Sequence, residues 1–213
     1  MKRLGTSPRE LSEAAATLRG GGVLIYPTET VYGIGCNPFN RESVLRVYEI
    51  KRREKKPMPV LCASIGDVEK VCKLDEQALT IAQLLWPGPI SLILPKKPEL
   101  PSEVTAGQDY VAVRVPASLI ALEVMHRAGT PLLGTSANLS GAPPPASDTE
   151  IAEELTREID VLIAAGKTRY AAPSTVVRLR DNSLEIVREG AVSAGELEKI
   201  LEKAGVNIRV AKL

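Results

Sequence analysis

The stretch Tyr26–Leu61 begins with YPTETVYGIG (Tyr26–Gly35) and ends with KRREKKPMPVL (Lys51–Leu61), and an apolar helical segment lies between them. A short apolar run, Val23–Tyr26, is stopped by Pro27 and followed by two threonines, a carboxylate and two glycines. Such a pattern is typical of a strand that ends in a ligand-facing loop. The second segment opens with five cations in six residues. We therefore expect this stretch to bind a polyanion together with a small polar molecule.

The segments on both sides of this stretch alternate between helical and strand-like patterns. Three S-x-x-E capping boxes mark helix starts at Ser7–Glu10, Ser147–Glu150 and Ser193–Glu196, and further N-caps are expected at Asn40, Asp67 and Asp75. Short apolar or alternating runs predict strands at residues 23–26, 59–63, 90–94, 110–115, 131–134 and 160–164, and a hairpin from residues 173–180 and 184–187. This interleaving predicts the α/β class, with a single domain built on one twisted mixed β-sheet flanked by helices.

Composition excludes several classes of protein. Of the 213 residues, 44% are hydrophobic and 25% are charged, as in an ordinary globular protein. The net charge of +1 means that attraction to a polyanion must come from local clusters of charge. Aromatic residues make up 3%, which argues against a single-strand binder built on stacking platforms. Three cysteines without paired spacing favour a reducing cytoplasm, and no apolar run approaches the roughly 18 residues that span a bilayer.

The single histidine limits the chemistry further. His126 lies in an apolar-periodic helix that ends at Gly129, and we interpret it as a boundary residue near the helix C-terminus. Because there is no second histidine and no cysteine pair, a zinc site is not expected. No G-x-S-x-G elbow supports a Ser-His-Asp hydrolase either. Any chemistry must use carboxylates, hydroxyls, cations or Mg²⁺.

Three segments are candidates for a binding site. In the basic cluster, Lys51 and Arg53 are spaced to clamp phosphates, although cations also suit a solvated helix end. Gly134–Asn138 places hydroxyls and an amide just after a strand, where α/β sheets bind ligands, but such sequences are also common in turns. Pro173–Thr175 and Arg188 are interpreted as turn and rim residues unless something links them to the other two segments.

Two further features are candidate binding residues, a strand arginine and a segment that resembles part of a P-loop. Arg114 is the lone cation on an alternating strand, and a strand cation that faces inward needs a partner. Gly166–Thr168 ends like a phosphate-binding P-loop, but Val161 stands where the first glycine of that motif should be. We therefore retain Arg114 as a candidate and reject the P-loop.

Taken in order, these segments resemble the YrdC-like threonylcarbamoyl-AMP synthases over about residues 11–201. The shared motifs are PTETVYGIG (Pro27–Gly35), the K-x-R of Lys51 and Arg53 followed by Pro57-Met58, WPGP (Trp86–Pro89), TAGQDYVAVRVP (Thr105–Pro116), the S-x-N of Ser136 and Asn138, PSTVV (Pro173–Val177) and Arg188. The resemblance implies one YrdC-like domain over residues 1–213, with its core at about residues 8–205 and a large concave cationic face. We expect the family's short form, without the extra C-terminal domain of its longer members.

The resemblance also implies roles for nine residues. Those that match L-threonine contacts in the family are Thr28, Arg114 and Ser174. Those that match positions around ATP or its phosphates are Lys51, Arg53, Thr105, Ser136, Asn138 and Arg188, with Lys51 and Arg53 as the expected catalytic pair. This chain departs from the family at two positions. Leu61 stands where many members have a histidine that contacts threonine, and Glu54 follows the arginine where proline is frequent.

The implied activity is synthesis of L-threonylcarbamoyladenylate from L-threonine, bicarbonate or CO₂ and ATP, for N6-threonylcarbamoyladenosine in tRNA. The resemblance further implies Mg²⁺ held through the ATP phosphates, no tightly bound organic cofactor, and hand-over of the product to a tRNA threonylcarbamoyltransferase in the cytoplasm. Two alternatives stay open. One is a module that binds tRNA or double-stranded RNA through the basic cluster, and the other is a carbamoyl transferase on the same fold.

Overall fold

The computed structural model describes residues 1–212. Its α-helices are α1 (Pro8–Arg19), α2 (Arg41–Ile50), α3 (Ile65–Val71), α4 (Glu76–Leu85), α5 (Leu119–Ala128), α6 (Glu153–Glu158) and α7 (Ala194–Lys203). Its strands are β1 (Lys2–Leu4), β2 (Leu24–Pro27), β3 (Tyr32–Gly35), β4 (Val60–Leu61), β5 (Ile90–Pro95), β6 (Tyr110–Arg114), β7 (Leu132–Leu133), β8 (Thr135–Ser136), β9 (Val161–Ile163), β10 (Thr175–Arg180), β11 (Ser183–Arg188) and β12 (Arg209–Lys212). A 3₁₀ turn, Asp148–Glu150, precedes α6.

The strands form two mixed sheets. The smaller sheet has the order β1-β9-β2-β3-β8, and the larger sheet has the order β12-β11-β10-β5-β6-β4-β7. In the smaller sheet β2 is parallel to β9 and antiparallel to β3, and in the larger sheet β5 is parallel to β10 and antiparallel to β6. The expected α/β class with mixed strand directions is confirmed, and the strands are divided between two sheets instead of gathered in one.

The smaller sheet contains the β2–β3 hairpin, and β3 lies in a segment that the sequence pattern predicts to be a loop. β3 returns antiparallel to β2, with Tyr26 opposite Gly33. A Cβ atom at Gly33 would lie 2.7 Å from Cζ of Tyr26, and a Cβ atom at Gly35 would lie 1.7 Å from the backbone oxygen of Leu133. Glycine therefore lets β3 pass close to both neighbours. This packing explains why a segment of low strand propensity forms a strand.

The helix starts follow the sequence patterns with two exceptions. N-caps are confirmed for four helices, at Ser7, Asn40, Asp75 and Ser193. The prediction for α3 is wrong: Ser64 is the cap, and the amide of Asp67 donates to Oγ of Ser64 at 3.1 Å. Ser64 caps α3 because its hydroxyl can accept a hydrogen bond from a free amide of the first helical turn, and Asp67 lies too far into the helix to do so. Ser147 caps only the 3₁₀ turn, and α6 begins later, at Glu153.

The larger sheet packs one face into the core and lines a cavity with the other. Leu92, Val113 and Val177 belong to the main hydrophobic core. The opposite face is formed by alternate residues of β5, β6 and β10, which are Ser91, Ile93, Ala112, Arg114, Val176 and Arg178. The strand register places Ser91 beside Val176, and it places Ile93 between Arg178 and Ala112. These six side chains therefore form a continuous floor.

The three cysteines, Cys36, Cys62 and Cys72, are buried as free thiols. Among the helices of residues 1–212, none has the length and apolar character needed to cross a bilayer.

Replacing Gly35 by alanine is expected to destabilise the protein by about 3 kcal/mol, the upper end for overpacking, because the new Cβ would collide with a backbone oxygen. The matched control is Gly195→Ala in α7, where a Cβ meets nothing within 4 Å, and we expect it to stabilise by about 0.5 kcal/mol. Urea unfolding followed by circular dichroism measures both. Equal stability of the Gly35→Ala variant and the wild type would contradict the close packing of β3.

Candidate active site

A cavity of about 460 Å³ lies over the floor of the larger sheet, beside the β2–β3 hairpin and β8. Six of the nine residues expected in the site line it: Thr28, Arg53, Arg114, Ser136, Ser174 and Arg188. The other three, Lys51, Thr105 and Asn138, lie outside its lining in the structure of residues 1–212. Segments that are far apart in the sequence therefore meet at one hollow.

The turn after α2 separates Lys51 from Arg53. α2 ends at Ile50, and Arg52 adopts a left-handed backbone conformation with φ of 48°. After this turn the side chain of Arg53 reaches the cavity, where its Nη1 donates to Oγ1 of Thr135 at 3.1 Å. The side chain of Lys51 lies behind the wall instead. The two cations that were expected to clamp phosphates together thus occupy different layers of the site.

Lys51 supports the loop that follows β8. Its Nζ donates to the backbone oxygens of Ser136 and Asn138, the latter at 2.7 Å. The residue is only 2% exposed, and burial, with a smaller effect of the positive charge on Arg53, lowers the pKa of Lys51 to about 8. An ammonium group that organises two carbonyls fixes the wall from behind. The phosphate contact expected for Lys51 stays a prediction.

Thr105 and Asn138 also hold loops around the cavity. Thr105 is fully buried, and its Oγ1 donates to the backbone oxygen of Gln108 at 2.7 Å. This turn brings Gln108 into the cavity lining. Nδ2 of Asn138 donates to the backbone oxygens of Leu139, at 2.9 Å, and Ala142, at 2.6 Å. The nucleotide contacts expected for both residues stay predictions, and in this structure both side chains bond to the backbone.

Arg114 has the partner that an inward-facing strand cation requires. Its Nη1 donates to Oε1 of Glu29 at 2.9 Å, and the two side chains are 6% and 5% exposed. Burial lowers the pKa of Arg114, and the carboxylate of Glu29 opposes that shift. The ion pair joins β6 of the larger sheet to the loop between β2 and β3.

Thr28 uses its hydroxyl within its own turn. Oγ1 of Thr28 donates to the backbone oxygen of Val31 at 2.7 Å and lies 2.7 Å from Oγ1 of Thr30. Since a hydroxyl has one proton, Oγ1 of Thr28 accepts the proton from Thr30. The threonine residues of the TET segment therefore shape the hairpin loop that borders the cavity.

Arg188 and Ser174 form a second polar cluster on the wall. Nη2 of Arg188 donates to the backbone oxygen of Ser174 at 2.7 Å and to its Oγ at 3.3 Å. Oγ of Ser174 lies 3.1 Å from Oγ of Ser91, and the antiparallel register of β5 and β6 places Ser91 next to Arg114. Burial lowers the pKa of Arg188, and the charge of Arg114 lowers it further. Two guanidinium groups thus face the cavity with serine hydroxyls between them.

Four residues of the site were missed from the sequence. Ser91 and Arg178 line the cavity, and both interrupt apolar strands at positions that share a face with Arg114. That alternation is the signal that could have identified them. Gln108 and Glu29 carried no such signal, because the first depends on a turn and the second on a contact between two sheets.

Leu61 makes part of the wall apolar. It lines the cavity, is 2% exposed and packs so closely on Gly134 that a Cβ there would lie 2.8 Å from Cγ of Leu61. Met58 and Pro59 continue this apolar surface. The side chain at the position where the resemblance implies a histidine therefore offers no hydrogen bond in this chain.

The lining as a whole is suited to anionic ligands. It combines four guanidinium groups, from Arg53, Arg114, Arg178 and Arg188, with several hydroxyls. Residues 1–212 contain no group of three or more His, Cys, Asp or Glu side chains placed to hold a metal ion. The fold and the cavity together define the class: an α/β protein with an arginine-lined cavity whose chemistry suits anions.

Comparison with known proteins gives the family. The sequence model of the Sua5/YciO/YrdC family, which carries the description "Telomere recombination", matches residues 16–190. This match covers well over half of the chain, so the chain belongs to the Sua5/YciO/YrdC family.

Three relatives illustrate the similarity. The chain is 38% identical over 190 residues to the threonylcarbamoyl-AMP synthase of Pyrococcus abyssi, which covers 88% of this chain and 56% of that protein. It is 36% identical over 201 residues to the synthase of the same name from Bacillus subtilis, which covers 93% of this chain and 58% of that protein. The crystal structure of P. abyssi Sua5 complexed with L-threonine matches with a TM-score of 0.91 at 34% identity, covering 99% of this chain and 62% of that chain. The chain thus spans a little over half the length of the two synthases.

The depressed pKa of Lys51 predicts a pH-dependent stability. The folded protein releases this proton near pH 8, whereas the unfolded chain holds it up to its ordinary pKa of 10.5, so the unfolded state binds more protons in this window. The cost of burying the charge is present below pH 8 and is relieved as the pH rises. We expect the free energy of unfolding of the wild type, relative to Lys51→Met, to increase by about 2 kcal/mol between pH 7 and pH 10. Urea titrations at both pH values measure it, and a difference that stays constant would contradict the assignment.

Proposed function

We propose that this protein is an L-threonylcarbamoyladenylate synthase, a nucleotidyltransferase that makes threonylcarbamoyl-AMP and pyrophosphate from L-threonine, bicarbonate or CO₂ and ATP. The observation that carries the proposal is the convergence of Arg53, Arg114, Ser136, Ser174 and Arg188 on one cavity. Relatives with this name match most of the chain, and a related protein has been solved with L-threonine.

The amino acid would bind at the end of the cavity formed by Arg114 and Ser174. Arg114 uses one nitrogen for Glu29 and can offer its remaining N–H groups to the α-carboxylate of threonine. The hydroxyl of Ser174 lies near the same end of the cavity, because it is 3.1 Å from Oγ of Ser91 and Ser91 is next to Arg114 in the sheet. The hairpin loop that contains Thr28 closes this end.

The triphosphate of ATP would lie toward Arg53 and Ser136. Arg53 is held by a single hydrogen bond of ordinary length, to Thr135, which leaves donors free for phosphate oxygens. Lys51 fixes the backbone of Ser136 and Asn138 and so keeps the nucleotide loop in place. Arg188 bonds to Ser174 and lines the cavity, so it would add positive charge for the phosphates beside the amino-acid region.

The proposed reaction needs positioning and charge more than it needs a protein base. The amine of threonine adds to CO₂ and loses a proton, giving N-carboxythreonine. An oxygen of this carbamate then attacks the α-phosphorus of ATP, and the bond from that phosphorus to the bridging oxygen breaks, so that pyrophosphate leaves with the electron pair. The nucleophile is already anionic, so the arginines mainly serve to bring two anions together and to stabilise the charge that develops at phosphorus.

Mg²⁺ and the onward partners belong to this proposal as well. In the described part of the chain the cavity lining provides arginines, hydroxyls, the amide of Gln108 and apolar groups but no carboxylate, and Glu29 lies behind the wall. A magnesium ion would therefore take its ligands from ATP phosphates and water, and it would neutralise part of their charge. The labile adenylate would pass to a tRNA threonylcarbamoyltransferase, for which tRNA is the final acceptor.

The first test of this proposal is a substrate panel. The protein is incubated with ATP, Mg²⁺, bicarbonate and single amino acids, and pyrophosphate release is measured. We expect release to require both bicarbonate and L-threonine, since the cavity offers one site for a carboxylate beside hydroxyls of the right reach. Release that is independent of the amino acid would reject the proposal. Strongly salt-dependent RNA binding without any release would instead favour an RNA-binding module.

Replacing Arg53 by alanine tests the phosphate region. We expect turnover to fall about 100-fold, as for other lost transition-state charge contacts, with the melting temperature little changed because Arg53 makes few contacts. The matched control is Arg157→Ala in α6, whose guanidinium is 69% exposed and pairs with Glu153 at the surface. Turnover of the Arg53→Ala protein equal to that of the control would remove Arg53 from the mechanism.

A further inference from the structure

The buried ion pair between Glu29 and Arg114 spans the wall of the cavity. Arg114 lines the cavity, whereas Glu29 lies behind it in the structure of residues 1–212. The carboxylate is 5% exposed, and its Oε1 accepts from Nη1 of Arg114 at 2.9 Å. Its Oε2 is buried and finds no hydrogen-bond partner among the described residues. Among the described residues, Arg114 is therefore the cation that compensates the buried charge of Glu29.

The nitrogen that Glu29 engages determines which edge of Arg114 remains for a ligand. A guanidinium group donates from Nη1, Nη2 and Nε, and the Nε–Nη2 edge is a two-donor fork that matches a carboxylate. The structure ties Nη1 to Glu29 and, within residues 1–212, provides no acceptor for the other two nitrogens. Because Arg114 lines the cavity, its free fork is the part that a substrate can reach.

The main chain of the same loop fixes the opposite wall. The backbone oxygen of Glu29 accepts from the amide of Tyr170 at 2.9 Å, and the backbone oxygen of Thr30 accepts from Oγ1 of Thr168 at 2.8 Å. The segment held in this way leads directly to Ser174, which also lines the cavity. Glu29 thus contacts β6 through its side chain and the loop before β10 through its backbone oxygen.

We propose that Glu29 is a positioning residue for the amino-acid substrate: it holds Nη1 of Arg114 from behind the wall and so presents the Nε–Nη2 fork to the substrate α-carboxylate. This inference rests on the proposed function, because it takes an α-amino acid as the ligand of Arg114. A carboxylate is required at position 29, since a neutral side chain would leave the buried guanidinium without a counter-ion to orient it.

The decisive measurement compares L-threonine with L-threoninamide, which keeps the amine, hydroxyl and methyl groups but lacks the carboxylate charge. Affinities of both for the wild type and for Glu29→Gln are measured by calorimetry, together with KM and kcat for pyrophosphate release. We expect Glu29→Gln to bind L-threonine about tenfold more weakly, because a neutral amide oxygen holds Nη1 less firmly than a carboxylate does, and to bind L-threoninamide as the wild type does. KM for threonine rises accordingly, while KM for ATP and kcat at saturating threonine stay within about twofold.

The matched control is Asp148→Asn, which removes another largely buried carboxylate that is paired with an arginine, Arg3, and does not line the cavity. It should leave the preference for threonine over threoninamide unchanged even if stability falls. An unchanged preference in Glu29→Gln overturns the inference. If that variant does not fold, Glu29→Asp decides: it keeps the charge but shortens the reach to Nη1, and a wild-type preference in it also overturns the inference. A wild type that neither binds threonine nor releases pyrophosphate would instead reject the proposed function.

Discussion

Buried positive charge is the constraint on which the site depends, because a cation removed from water must be given acceptors by the protein. The structure meets this requirement with a different partner at each position. Lys51 receives two backbone oxygens, Arg114 receives the carboxylate of Glu29, and Arg188 receives the backbone oxygen of Ser174. The contacts of Lys51 and Arg114 join residues at least 85 positions apart, and that of Arg188 closes the β10–β11 hairpin, so satisfying the charges also helps to hold the walls of the cavity.

These partners also divide the cations by role. Lys51 bonds to carbonyls behind the wall and has become part of the support of the loop after β8. Arg53, Arg114 and Arg188 each keep at least part of their guanidinium at the cavity. An arginine can serve both purposes at once, because its N–H groups lie along different edges of a planar fork. Two of the three N–H groups of Lys51 are already used by carbonyls behind the wall, so in this structure the lysine acts as a support and the arginines form the surface of the cavity.

The sequence was sufficient for features that depend on local patterns. The α/β class, the strands that form the floor, and the caps at Ser7, Asn40, Asp75 and Ser193 follow from periodicity and capping chemistry, and all are confirmed. Features that depend on distant contacts could not be predicted.

Strand β3 exists because two glycines allow close approach to Tyr26 and to the backbone of Leu133. Arg53 reaches the cavity while Lys51 does not, because Arg52 between them takes a left-handed conformation that redirects the chain after α2. The pairing of Glu29 with Arg114 joins residues 85 positions apart. Most residues expected at the cavity do line it, since they came from motifs shared within a family, but the direction of each side chain required the fold.

The distribution of charge indicates how an anion would change the electrostatic energy of the wall. Arg114 and Arg188 are close enough for each to feel the other's charge, yet Glu29 is the carboxylate paired with the first, and Arg188 bonds to a neutral carbonyl and hydroxyl. Without a ligand, two like charges therefore face each other in a partly buried place, where Coulomb energies are larger than in water. An anion between them would remove that repulsion and use the donors that both guanidinium groups keep free. The proposed anionic substrate would therefore bring negative charge to a place where the cavity lining of the described residues has guanidinium groups and no carboxylate.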